Sequence, residues 1–284
     1  MSKLPTLLEA FRGGSNRELR CVDFNALAKW ISMRGLAEIS HDLEGEWADE
    51  GNTVPFRMLC LRLLSRLTVF NSLTKAPVDG EFWESVLKSK SSAFRSVAIL
   101  ACNLSDDDRL WHCLKHAWHE DPNGLNRTLA LETMGTVVSR NRQRTHAAME
   151  EFQEAIERKD PWAKLGALYG SSFVKERSAD GLAKVIVQHE EDGYLVATAF
   201  AILLKRKPGR GRKIFSAILG YILTKKPSVK VTTTLLGVCR LCDPVATRRV
   251  CLRAIEGSAQ PQLQVIRTAA MNLMLGSALS QGIR

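Results

Sequence analysis

The sequence predicts an all-α fold, and three observations carry that prediction. Apolar residues recur at three- and four-residue spacings along nearly the whole chain, as in Leu59, Leu63, Leu64 and Leu67, or Leu235, Leu236, Cys239 and Cys242. Sustained two-residue alternation, the mark of a half-buried strand, is hard to find. Short breaks carrying Pro, Gly, Asp or Ser separate segments of roughly 10–17 residues, an ordinary helix length, so about fifteen helices are expected. With 45% hydrophobic and 25% charged residues in 284, the chain has material for a core and lacks the composition of a disordered polymer.

The helices recur with a period. Segments beginning "VPFRMLCLRLLSRL", "SAFRSVAILACNL", "LNRTLALETMGTVV", "DPWAKLGALYGSSF", "YLVATAFAILLKR", "SVKVTTTLLGVCRL" and "QLQVIRTAAMNLML" start roughly 33–38 residues apart, each with another amphipathic segment between. A helical hairpin cannot bury its apolar face alone, and stacking neighbours completes the core. In each segment a polar or charged opening precedes an aliphatic, alanine-rich helix. The chain thus resembles the HEAT and armadillo-like α-solenoids over roughly residues 36–276. The usual HEAT pairing of a turn aspartate with an arginine shortly after it is met clearly by Asp121 and Arg127 alone. The resemblance implies a right-handed α-solenoid of about seven stacked hairpins. It spans 1–284 as a single domain, with capping helices over 1–35, near-neutral to acidic repeats over 36–192 and basic repeats over 193–284.

Charge divides the chain more sharply than hydropathy does. The net charge is +10, yet residues 1–192 carry −3 and residues 193–284 carry +13. Gly193 to Cys242 contains no Asp or Glu. Such asymmetry points to a polyanionic partner. In a stack of hairpins the turns within repeats lie along one edge and those between repeats along the other. The within-repeat turns include the acidic "EGEWADEGN", "HEDPNG" and "EEDG", with "KSK", "RKDP" and "TKKPS" as exceptions, while the between-repeat turns include "SRNRQR", "VKERS" and "KRKPGRGRK". One edge is therefore expected to be basic. Phosphate contacts are assigned to Lys205, Arg206, Lys207, Arg210, Arg212 and Lys213, with Arg140, Arg142 and Arg144 extending the track. Lys225, Lys226 and Lys230 fall on the other edge. Contacts to about six to ten phosphates would lower affinity about 10³–10⁵-fold between 50 and 200 mM salt.

Candidate chemical sites read as structural. In "LWHCLKHAWHED" the spacing puts His112, His116 and His119 around one direction of a helix and Leu110, Trp111, Leu114, Ala117 and Trp118 around the opposite one. The histidines are expected in water; a surface pair can hold a metal, but no fourth ligand is implied. Cys239 and Cys242 have CxxC spacing inside an aliphatic helix, without the βαβ context of a redox motif, and are expected in the core. Ser105 with Asp106, Asp107 and Asp108 reads as a helix start. Glu150, Glu151, Glu154 and Glu157 read as a solvated helix face.

The expectation is a non-enzymatic HEAT-like binding protein without cofactor or metal, whose basic C-terminal half holds DNA or RNA by its backbone. Its acidic N-terminal half is left for a protein partner. The alternatives are a scaffold subunit docking an acidic protein, and a DNA glycosylase, which the resemblance also includes. The second needs a tryptophan and aspartate pair, for which Trp118 with Asp121 and Trp162 with Asp160 are the candidates. There is no Walker-type loop, HExxH, GxSxG or dinucleotide fingerprint. The first residues lack a secretory leader and no 18-residue apolar run exists, so no membrane segment is expected. Seven cysteines, an odd number set mostly among aliphatic residues, fit a reducing cytoplasm.

Overall fold

The computed structural model describes residues 11–12, 36–74, 80–104, 108–256 and 264–281. Among them are fourteen α-helices and no strand. The capping helices expected over 1–35 lie outside the described residues save Phe11 and Arg12, as do Ser105, Asp106 and Asp107; Asp108 opens its helix. No helix among the described residues is long and apolar enough to cross a membrane.

The helices are α1 (Leu36–Ala48), α2 (Val54–Thr74), α3 (Gly80–Leu87), α4 (Ser92–Ala101), α5 (Asp108–Glu120), α6 (Gly124–Arg140) and α7 (Thr145–Glu157). They continue with α8 (Pro161–Ser171), α9 (Ser178–His189), α10 (Gly193–Arg206), α11 (Gly211–Lys225), α12 (Val229–Cys242), α13 (Pro244–Glu256) and α14 (Gln264–Gln281). The even-numbered helices from α2 to α14, except short-turn differences of one or two residues, begin where the seven periodic segments of the sequence do. Their starts follow from local chemistry. Thr53, Ser91, Asn123, Asp160, Asp192 and Ser228 each accept a first-turn backbone N–H of α2, α4, α6, α8, α10 and α12 respectively. A side-chain oxygen there satisfies a donor that the helix itself cannot.

The chain divides into two compact units, 1–151 and 152–284, with the division inside α7. The charge boundary after residue 192 falls within the second unit. In the first unit α2 packs on α4 and α4 on α6, while α3 packs on α5 and on α4. In the second unit α8, α10, α12 and α14 pack in succession, and α9, α11 and α13 pack against that row. Packing between elements two apart is what a 3.6-residue apolar stripe on successive hairpins requires. The core stripes are those of the sequence: Leu59, Leu63, Leu64 and Leu67 are buried in the first unit, Leu235, Leu236 and Cys239 in the second. At the start of α10 the backbone comes so close to α12 that a Cβ on Gly193 would lie 2.6 Å from Val231 Cγ1.

Candidate nucleic-acid interface

The basic turn joins α10 to α11, and its six cations divide by direction. Lys205 is exposed with its ammonium 5.1 Å from the centre of the Phe173 ring. Arg206, the last residue of α10, points inward: its Nε donates to Asp180 Oδ1 at 2.6 Å, Nη1 to the carbonyls of Ser171 at 2.9 Å and of Val174, and Nη2 to the carbonyl of Glu176 at 2.7 Å. Only 11% of its side chain is exposed. Lys207 Nζ pairs with the other oxygen of Asp180. Arg206 and Lys207, both assigned to phosphate by the sequence, are thus engaged in holding the start of α9 and the α8–α9 connection against α10.

Asp180 itself sits in the first turn of α9 with its side chain 5% exposed. Burial, the largest effect on it, pushes its carboxyl pKa up, but the hydrogen bonds from Lys207 and Arg206 and their charges outweigh this and hold it below the usual range.

The chain then turns through one short 3-10 segment at Pro208–Arg210 and re-enters a helix at Gly211. Arg210, Arg212 and Lys213 are all exposed there. Unlike the side-chain-capped starts of α8, α10 and α12, α11 begins after Arg210 with no side-chain cap hydrogen bond. Cations beside the positive end of a helix repel that end, and an anion placed there relieves the repulsion.

In the first unit the second basic group follows the same division. Arg140 is exposed and donates to Asn103 Oδ1 at 3.0 Å. Arg142 is exposed within the short 3-10 segment Arg142–Arg144. Arg144, 12% exposed in its side chain, donates to Asp108 Oδ1 at 2.7 Å and lies 5.2 Å over the Trp111 ring.

No family model matches the chain, and neither does any curated protein. Leu110, Trp111, Leu114, Ala117 and Trp118 are buried on α5, as expected. His112 and His116 are exposed and line a cleft of about 580 Å³ with Cys113, Lys88 and Arg109. His119 does not join them. Its Nε2 lies 3.2 Å from Glu151 Oε2, and its ring stacks 3.7 Å from Trp118.

Glu151 corrects the reading of a solvated glutamate face. Glu150, Glu154 and Glu157 are exposed, but Glu151 is buried, accepting from Trp118 Nε1 at 2.8 Å and pairing with Lys115 Nζ at 2.6 Å. Burial pushes its carboxyl pKa up most strongly, yet the bonds from Lys115, Trp118 and His119 together hold it low. Of the aspartates beside tryptophans, Asp121 accepts a bidentate pair from Arg95, at 2.7 and 2.8 Å, and Asp160 caps α8. Arg127 reaches the backbone carbonyl of Asp121 at 2.7 Å. Cys239 and Cys251 are buried and Cys242 half-buried; burial raises all three thiols, Cys239 to about 12, so none is a thiolate near neutrality.

Two ion pairs escaped the sequence reading although they carry a signal. Arg95 and Lys164 are each the fourth residue of their helix, α4 and α8. Their partners, Asp121 and Glu190, each lie three residues before the next even-numbered helix. Both pairs therefore span the same 26 residues.

Proposed function

We propose that this all-α protein is a HEAT-like right-handed solenoid of about seven hairpins that holds DNA or RNA by its phosphate backbone. The alternate-helix packing inside each unit and the recurring side-chain caps support the architecture. The observation that carries the binding reading is the trio Arg210, Arg212 and Lys213, exposed around a helix start without a side-chain cap. That trio lies in a stretch from Gly193 to Cys242 free of carboxylates. Lys205, Arg140 and Arg142 are the further exposed members of the set.

Arg206, Lys207 and Arg144 act in this proposal as positioning groups, since their charge is already met by Asp180 and Asp108. Contacts to about four phosphates would cost about 10²-fold in affinity between 50 and 200 mM salt, with a slope near −0.9 for each contact. Backbone contacts position without reading sequence, so little base preference is expected. The protein is non-enzymatic in this reading, works in the cytoplasm and leaves its acidic N-terminal half, residues 1–192, to a protein partner.

Fluorescence anisotropy with labelled single- and double-stranded oligonucleotides at two salt concentrations tests it. Arg210, Arg212 and Lys213 changed together to Glu should lower affinity and flatten the salt slope by about three contacts. Equal affinity and slope in variant and wild type would remove this surface from consideration.

A further inference from the structure

Beside the basic turn, the second unit contains a cleft of about 250 Å³ whose chemistry a bare phosphate backbone leaves unused. Helices α9 and α11 both pack on α10, and the cleft opens between them. Each wall joins a cation to apolar carbon. On α9, Lys184 is followed by Val187 at the helical spacing of three; on α11, Lys213 is followed by Ile214 and Ala217. Leu203 and the buried Phe200 of α10 form the floor. Lys184, Arg210 and Lys213 stand exposed at the rim.

We infer that this cleft docks an acidic segment of a partner protein, with an aliphatic side chain seated on the floor and flanking carboxylates meeting the rim. The charge is one-signed: every charged side chain lining the cleft is a Lys or Arg. The floor decides between anions. The sugar carbons of a nucleic-acid backbone carry oxygens on nearly every atom, so they cover the apolar carbon of Val187, Leu203 and Ile214 poorly. An inserted nucleobase would bring amino and ring N–H donors to a lining whose one side-chain acceptor is Gln188, leaving donors without partners. A leucine flanked by Asp or Glu satisfies both parts, with apolar carbon covered and each carboxylate opposite a cation. The volume also lies below that of pockets for drug-sized molecules and suits one or two side chains. The inference goes beyond the nucleic-acid reading: it shares Arg210 and Lys213 with that reading and adds Lys184 and the apolar floor.

The test is anisotropy of the full chain with a labelled synthetic peptide in which a Leu-Leu pair is set between runs of Glu. Binding to wild type is expected. Replacing the Leu pair by Ser-Ser should weaken it about tenfold or more, because the transfer of two leucines is lost while every charge remains. Ala217→Trp, which fills the cleft and leaves the rim cations in place, should weaken the Leu-Leu peptide similarly. Equal binding of the Ser-Ser peptide, or no peptide binding at all, overturns the inference. An oligonucleotide affinity that falls with Ala217→Trp while the peptide's holds overturns it in favour of base insertion. Peptide binding without oligonucleotide binding upholds it and removes the nucleic-acid reading; the reverse removes this inference alone.

Discussion

Arg206 Nε and Asp180 Oδ1 lie 2.6 Å apart across the α9–α10 hairpin, with only 11% and 5% of their side chains exposed. The guanidinium also takes three main-chain carbonyls of the α8–α9 connection. This arginine is the centre of a local structure, although it stands in the most basic stretch of the chain.

Arg206→Ala should therefore destabilise the protein by about 3–5 kcal/mol, the cost of leaving a buried carboxylate and carbonyls without their donor. Arg212→Ala, a few residues away and exposed, should fall within about 0.5 kcal/mol of wild type. Urea denaturation of both variants checks the contrast. Similar midpoints for the two would contradict the assignment of Arg206 to structure.

Asp121, Glu151, Asp180 and Glu190 are all held below their ordinary carboxyl values by their partners. A depressed folded pKa contributes stability that is fully present above the unfolded value, about 4, and is lost as pH falls through the folded one. Stability should be insensitive to these groups from neutrality down to about pH 5 and should drop below about pH 4. Asp180→Asn should start less stable at pH 7, and its deficit should shrink on acidification. The measurement is the urea midpoint at pH 7 and pH 3, and a constant deficit would refute the linkage.

Lys226 ends α11 with φ 48° and ψ 54°, in the left-handed region. Its N–H still bonds to the Ile222 carbonyl, so the conformation serves the helix end. A side chain pays a steric penalty there that glycine escapes. Lys226→Gly should raise stability by about 1 kcal/mol, read as a higher melting temperature. A lower melting temperature would show that the lysine side chain contributes more than the backbone strain costs.

Gly193 is needed for the approach of α10 to α12. Gly193→Ala would force its Cβ against Val231 and should cost about 1–3 kcal/mol. Val231→Ala, which removes both methyl groups in the way, should recover part of that loss in the double variant. A double-mutant cycle measures the coupling, and strictly additive losses would mean that the two residues do not meet.

The helical period, the polar openings and the core stripe of α5 were all legible, because each depends on residues within one or two turns of each other. Asp160, weighed in the sequence only beside Trp162, caps α8, and Asp192 caps α10. Glu151 was misread. It belongs to a run of glutamates on one helix, and nothing within α7 shows that Lys115 and Trp118 lie opposite that single position. The Arg95 and Lys164 pairs had a readable signal in their equal spacing, but a 26-residue separation carries meaning only once the helices between have been laid antiparallel.

The sequence by itself determined that the chain is helical, where its periodic helices begin, and that its positive charge collects after residue 192. Local spacing, capping oxygens and composition are sufficient for those. Which cations face a ligand was decided only by tertiary structure. Arg206 and Arg210 are the same residue type four positions apart, yet one is closed over Asp180 and the other is exposed. Arg206 closes α10 and Arg210 closes the short 3-10 segment after it, and only the first has a carboxylate, 26 residues earlier, that packing brings within hydrogen-bond reach.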